Sequence, residues 1–108
     1  MFQILKTRKF EREFKRLYKK YPSLKDELLS LLDEIEQNPH LGTPLGSDCY
    51  KIRLPIASKG KGKSGGARLV THVVVMAETV YLLSLYDKSE ISTLPDKEIL
   101  KLIKDKDL

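Results

Sequence analysis

Two long strand-like runs, Ala67 to Met76 and Thr79 to Lys88, are separated only by Ala77-Glu78, and this constrains the chain more than any other feature. So short a connection leaves no room for a crossover, so the two runs must pair as an antiparallel hairpin. Side chains alternate between faces along a strand. The first run therefore sets Arg68, Val70, His72, Val74 and Met76 against Leu69, Thr71, Val73 and Val75. The same count in the second run sets Val80, Leu82, Ser84, Tyr86 and Lys88 against Tyr81, Leu83, Leu85 and Asp87. The start of one hairpin strand lies beside the end of the other, so Arg68, Tyr86 and Lys88 are expected to converge at one rim as a cationic site. The hairpin is approached through Lys59-Gly60-Lys61-Gly62-Lys63-Ser64-Gly65-Gly66, a basic lysine–glycine arm.

A third alternation runs from Cys49 to Ile56. Tyr50, Ile52, Leu54 and Ile56 form a wholly apolar face, and Lys51 and Arg53 stand on the other. The apolar face needs a cover, and the N-terminal third supplies one. After a short strand at Phe2 to Lys6, Thr7 is a plausible N-cap for a helix through about Lys20, with Phe10, Phe14, Leu17, Tyr18 and Tyr21 on one stripe. Its opposite side carries Glu11, Arg12, Lys15, Arg16, Lys19 and Lys20, which reads as a solvated charged face. Pro22 breaks that helix, and a second runs from about Ser23 to Asn38, where Pro39 stops it; its stripe is Leu24, Leu28, Leu31, Leu32 and Ile35. His40 to Ser47, with two glycines and a proline, reads as a loop in which His40 is exposed. After the hairpin, Thr93 is placed to cap a last helix answered by Asp96, with Leu94, Ile99, Leu102 and Ile103 available to dock.

The order strand, helix, helix, strand, strand, strand, helix predicts one α+β domain over residues 1–108. It has a mostly antiparallel four-stranded sheet, a helix hairpin on one face and a short C-terminal helix. The helices cover the apolar side of the sheet, so Lys51 and Arg53 are expected on the same side as Arg68, Tyr86 and Lys88. No apolar run approaches bilayer length and residues 1–9 lack a signal-peptide pattern, which sets the expectation of a cytoplasmic protein without membrane contact. A single cysteine, Cys49, excludes an internal disulfide, and two histidines without a cysteine partner argue against zinc, so no metal or other cofactor is expected. A net charge of +5 points to an anionic partner such as nucleic acid or an acidic protein.

With Gly62-Lys63-Ser64-Gly65-Gly66-Ala67-Arg68 leading into one strand and Tyr81-Leu82-Leu83-Ser84-Leu85-Tyr86-Asp87-Lys88-Ser89-Glu90 ending the next, the chain resembles the RelE/ParE superfamily of type II toxin–antitoxin toxins, in particular the RelE-like and HigB-like mRNA interferases. The resemblance extends over nearly the whole chain. It implies a small RelE-like fold and a ribosome-dependent endoribonuclease, held inactive by a cognate antitoxin. In such enzymes the ribose 2′-hydroxyl attacks the adjacent phosphate without a metal, leaving a 2′,3′-cyclic phosphate and a 5′-hydroxyl. Carried onto this sequence, Arg68 is expected to clamp the scissile phosphate, because a guanidinium offers a planar fork and keeps its charge. Lys88 is expected to meet developing negative charge or act as acid, and Tyr86 to stack on a base or deliver a proton. Lys51, Arg53, Lys59, Lys61 and Lys63 are expected to contact flanking RNA phosphates, and His72 and Glu90 are further acid–base candidates. Two alternatives stay open: a ParE-like inhibitor of DNA gyrase, and an RNA- or ribosome-binding module without catalysis.

Overall fold

Thr7 is where the N-terminal segment turns into helix. In the computed structural model, which describes residues 1–59 and 65–106, its Oγ1 accepts the Phe10 N–H at 3.2 Å and donates to the Leu82 carbonyl at 2.8 Å. One buried hydroxyl thus caps a helix and fastens it to the sheet. The elements in order are β1 (Gln3–Lys6), α1 (Arg8–Lys20), α2 (Leu24–Gln37), β2 (Thr43–Gly46), β3 (Cys49–Leu54), β4 (Ala67–Val74), β5 (Thr79–Asp87) and α3 (Asp96–Asp105). The sheet order is β1-β5-β4-β3-β2; β1 runs parallel to β5 and the other pairs are antiparallel.

The sheet has five strands rather than four. The added one is β2, in the stretch expected to be a loop. Its Pro44 stands opposite Tyr50, and a proline that cannot donate to a ladder is tolerated on an outermost strand. Ser47 and Asp48, both at positive φ (54° and 58°), make the tight turn into β3.

The α1 and α2 stripes close the main core. Phe10, Leu17, Leu24, Leu28, Leu31 and Ile35 pack on Ile52, Leu54, Ala67, Leu69, Val73, Val80, Leu82 and Leu85. Each buried Phe, Leu, Ile or Val side chain among them contributes roughly 1.5–3 kcal/mol. One part of the expected alternation is corrected here. The β4–β5 register slips, Val70 facing Ser84 while Thr71 faces Leu82, so Leu83 is an extra residue. This bulge reverses the parity of β5: Val80 and Leu82 share the helix side with Leu85, whereas Tyr81 and Leu83 share the other side with Tyr86.

That other side is partly roofed. Cys49, Val70, Leu83 and Tyr86 form a second apolar cluster with Ile99 of α3, flanked by Leu94, Leu102 and Ile103. The helix begins at Asp96 after Pro95 and has no side-chain cap, so the expected Thr93 cap does not form. The pairing of β1 ends at Lys6 and Leu82, leaving the far half of β5 without a strand neighbour on the edge opposite β4. Glu13 of α1 takes that place: its carboxylate accepts Leu85 N–H at 3.1 Å and Ser84 Oγ at 3.0 Å, and Lys9 bridges it at 2.8 Å. Among the described residues no helix is long and apolar enough to cross a membrane.

Candidate functional site

Strand register alone builds the centre of the site. Arg53 of β3 is paired with Arg68 of β4, and Arg68 with Tyr86 of β5, making three successive cross-strand partners on the face away from α1 and α2. Direct cross-strand partners have Cβ atoms about 4.5–5.5 Å apart. Lys51 occupies the same face one row along, opposite Val70. Arg53 is exposed and Lys51 half-buried, while Arg68 and Tyr86 are each only 2% exposed. The close approach of backbone at the start of β4 depends on Gly66, where a Cβ would collide with the Leu54 carbonyl and lie 3.0 Å from Pro55 Cα.

Burial, followed by repulsion from Arg53, lowers the Arg68 pKa, but a guanidinium remains charged, and its Nη1 donates to the Ala67 carbonyl at 3.0 Å. Burial raises the Tyr86 pKa, with Thr93, Arg68 and the Leu94 backbone opposing it, so the phenol holds its proton at neutral pH. Among the described residues its buried hydroxyl meets no partner at hydrogen-bond geometry, even though Thr93 and Leu94 lie close by. A buried hydroxyl of this kind is ordinarily matched by protein or by water. A cavity of ≈ 50 Å³ beside it is bounded by Lys51, Val70, Thr93, Leu94, Asp96 and Ile99, leaving room for water but not for a nucleobase.

The other sequence-predicted residues are distributed differently. Lys88 is exposed just beyond β5, its backbone N–H held by the Gly66 carbonyl at 3.1 Å, so it stays at the rim of the Arg68–Tyr86 row. Lys59 is turned to the helix side, where it pairs with Asp87, donates to the Gly65 carbonyl at 2.9 Å and lies 5.5 Å over the Tyr21 ring. Its charge is already matched there, which removes it from the expected RNA-facing set. Lys61 and Lys63 lie outside the described residues.

His72 sits opposite Cys49 and Tyr81, two rows from Arg68 along β4, and stacks on Tyr81. Its Nδ1 is 3.5 Å from Cys49 Sγ. Burial and then Lys106 lower its pKa, so it is a packed neutral imidazole apart from the row. Burial pushes the Cys49 thiol up to about 11, which leaves it an inert core group. Glu90 is held by Arg16 at 2.7 and 3.2 Å, and that hydrogen bonding lowers its pKa and engages both its oxygens. A larger cleft of ≈ 500 Å³ opens between α1 and α3, with Lys9, Arg12, Lys101 and Lys106 facing Glu98 and Asp105. Its charges partly cancel and it contains no member of the row.

Three features escaped the sequence reading: the α3 roof over Tyr86, the Glu13 seal, and the buried Asp87. Only the last left a signal, as a carboxylate ending an otherwise apolar alternation.

Residues 2–105 match the family of the RelE toxin of the RelE/RelB toxin–antitoxin system. The chain belongs to the RelE toxin family. Among solved structures it shares its fold with E. coli RelE in the intact RelBE toxin–antitoxin complex (TM-score 0.64, 23% identity, 81% of this chain and 96% of that one). A doubly substituted E. coli RelE in the free state is similar over 95% of both chains (TM-score 0.61, 21% identity). E. coli RelE with a RelBc peptide is similar over 84% of this chain and 90% of that one (TM-score 0.62, 23% identity).

Proposed function

We propose that this toxin is a ribosome-dependent endoribonuclease that cuts messenger RNA by attack of a ribose 2′-hydroxyl on the adjacent phosphate. The observation that carries this reading is the Arg53–Arg68–Tyr86 row, which sets two guanidinium groups beside a buried, protonated phenol. Such a set suits phosphoryl chemistry. Arg68 forks onto non-bridging oxygens as charge builds, Arg53 and Lys51 hold the neighbouring phosphates, and Lys88 meets the rim side of the developing charge. Tyr86, protonated at neutral pH, donates rather than removes a proton, which fits transfer to the departing 5′-oxygen. No residue of the row is a ready base for the 2′-hydroxyl, and His72 and Glu90 are engaged elsewhere. For RNA to reach Tyr86, the Thr93–Ile99 roof must shift, since the cavity beneath it is small.

The partner implied by the family is a cognate antitoxin. E. coli RelE is held in complex with RelB, and a segment rich in acidic and apolar residues would suit the basic surface here. The test is to add the purified toxin to ribosomes translating a defined message and map the new 5′ ends. Cuts at fixed codon positions, with 5′-hydroxyl and 2′,3′-cyclic phosphate termini, are expected. An intact message beside a growth-arresting toxin, or gyrase-linked DNA breaks in its place, would overturn the reading.

A further inference from the structure

Asp87 lies between Tyr86 and Lys88 in sequence, but its side chain points to the opposite face and is fully buried. A carboxylate in that position must be matched completely, and four donor groups converge on it. Tyr21 Oη donates at 3.1 Å, the Ser89 N–H at 2.9 Å and Ser89 Oγ at 2.7 Å, and Lys59 Nζ pairs with the same oxygen as Ser89. Lys59, 9% exposed, also donates to the Gly65 carbonyl at 2.9 Å and to Ser89 Oγ at 3.1 Å. One buried ion pair therefore joins the end of α1, the residues on either side of segment 60–64, and the turn after β5.

That network controls the rim without touching it. Asp87 is the ladder partner of Ala67, the residue before Arg68, and Lys88 N–H is bonded to Gly66. The Asp87 carbonyl also accepts Glu90 N–H and Ile91 N–H, each at 3.0 Å, which fixes the turn leading toward the roof. Arg68, Tyr86 and Lys88 are thus each next in sequence to a residue held by the network.

We propose that Lys59 and Asp87 are a positioning pair: buried behind the sheet, they hold the ends of β4 and β5 so that Arg68, Tyr86 and Lys88 keep their mutual placement for RNA cleavage. This rests on the nuclease reading above. A displacement of about 1 Å in such groups costs roughly a hundredfold in rate. The pair is a positioning device, and neither member touches substrate.

The test uses the double variant Lys59→Met/Asp87→Asn, which removes both charges and leaves neither buried alone. It is expected to unfold cooperatively. The Lys88 and Ser89 amides should exchange faster, by about tenfold or more, while the Leu69 amide stays protected. On saturating programmed ribosomes its single-turnover cleavage should fall roughly a hundredfold with little change in half-saturation, and Lys59→Arg alone should keep most of the rate. If the double variant does not fold, Tyr21→Phe removes a single donor and should give a smaller loss of the same kind. Cleavage at the wild-type rate in a folded double variant, or unchanged exchange at Lys88 and Ser89, overturns the proposal. If the wild-type protein cuts no message, the nuclease reading fails, and the exchange data alone then decide whether the pair fixes the rim.

Discussion

Arg68 and Tyr86 are direct partners in the β4–β5 ladder, both 2% exposed, and the phenol meets no hydrogen-bond partner among the described residues. A buried hydroxyl without a partner costs about 1–3 kcal/mol. Tyr86→Phe is therefore expected to leave stability unchanged or raised while lowering cleavage about a hundredfold or more, the scale of a lost proton donor. Arg68→Ala is expected to lose more activity while still binding the antitoxin. Thermal unfolding, read alongside mapped cleavage of a ribosome-bound message, separates the two effects. A Tyr86→Phe protein that cuts at the wild-type rate would reassign the ring to stacking.

His72 carries an acid-sensitive share of stability. Burial and Lys106 hold its pKa below the ordinary histidine value, against a smaller opposing pull from Asp48. The unfolded chain binds the proton more readily, at about pH 6.5. The contribution is thus complete above that pH and is lost as pH falls toward the folded-state value. Urea midpoints measured from pH 7.5 down to 5 should fall more steeply for the wild type than for His72→Gln. Cleavage by His72→Gln at pH 7.5 should match the wild type, because the ring lies two rows from Arg68. A loss of cleavage in a stable His72→Gln protein would return this residue to the acid–base set.

Glu13 stands in for a missing strand. Its carboxylate satisfies both Leu85 N–H and Ser84 Oγ on the part of β5 that β1 does not reach. Glu13→Ala leaves those buried donors unmatched and should cost about 1–3 kcal/mol, whereas Glu13→Gln, which retains an acceptor, should cost less. For a domain of this size each kcal/mol lowers Tm by roughly 4–8 °C. A scan showing no drop for Glu13→Ala would mean that water replaces the carboxylate without penalty.

Local signals were legible in the sequence where one periodicity ruled. The Thr7 cap, the two stripes of α1 and α2, the Cys49–Leu54 alternation and the antiparallel hairpin all follow from spacing that the fold keeps, although β4 stops at Val74 and the connection is the four residues Val75–Glu78 rather than Ala77-Glu78 alone. Arg68, Tyr86 and Arg53 met on one face because a ladder pairs strand ends in a fixed order. The β5 bulge was hidden, since an extra Leu83 between two apolar residues does not disturb the composition of the run. Strand β2 was masked by Pro44 and two glycines, residues that signal turns but are also admitted on an edge. The roof over Tyr86 and the pairing of Lys59 with Asp87 join residues far apart in sequence, and no short window contains both partners.

Lys51 and Arg53 make the electrostatic part of the proposal measurable apart from catalysis. They stand on the outer part of the row face, Arg53 exposed and Lys51 half-buried, and neither is tied into an ion pair among the described residues. Lys59, in contrast, is matched by Asp87 and has no charge to spare. Each phosphate contact on a single strand contributes about 0.7 to the slope of log affinity against log salt. Removing Lys51 and Arg53 together should lower that slope by about 1.4 for an uncleavable 2′-deoxy oligonucleotide. The double variant Lys59→Met/Asp87→Asn should leave the slope nearly unchanged even where it lowers cleavage. Titrations at several salt concentrations with fluorescent oligonucleotide read both slopes directly. If that double variant lowers the slope as much as either residue of the row face does, the ion pair with Asp87 opens in solution, and Lys59 rejoins the RNA-contacting set.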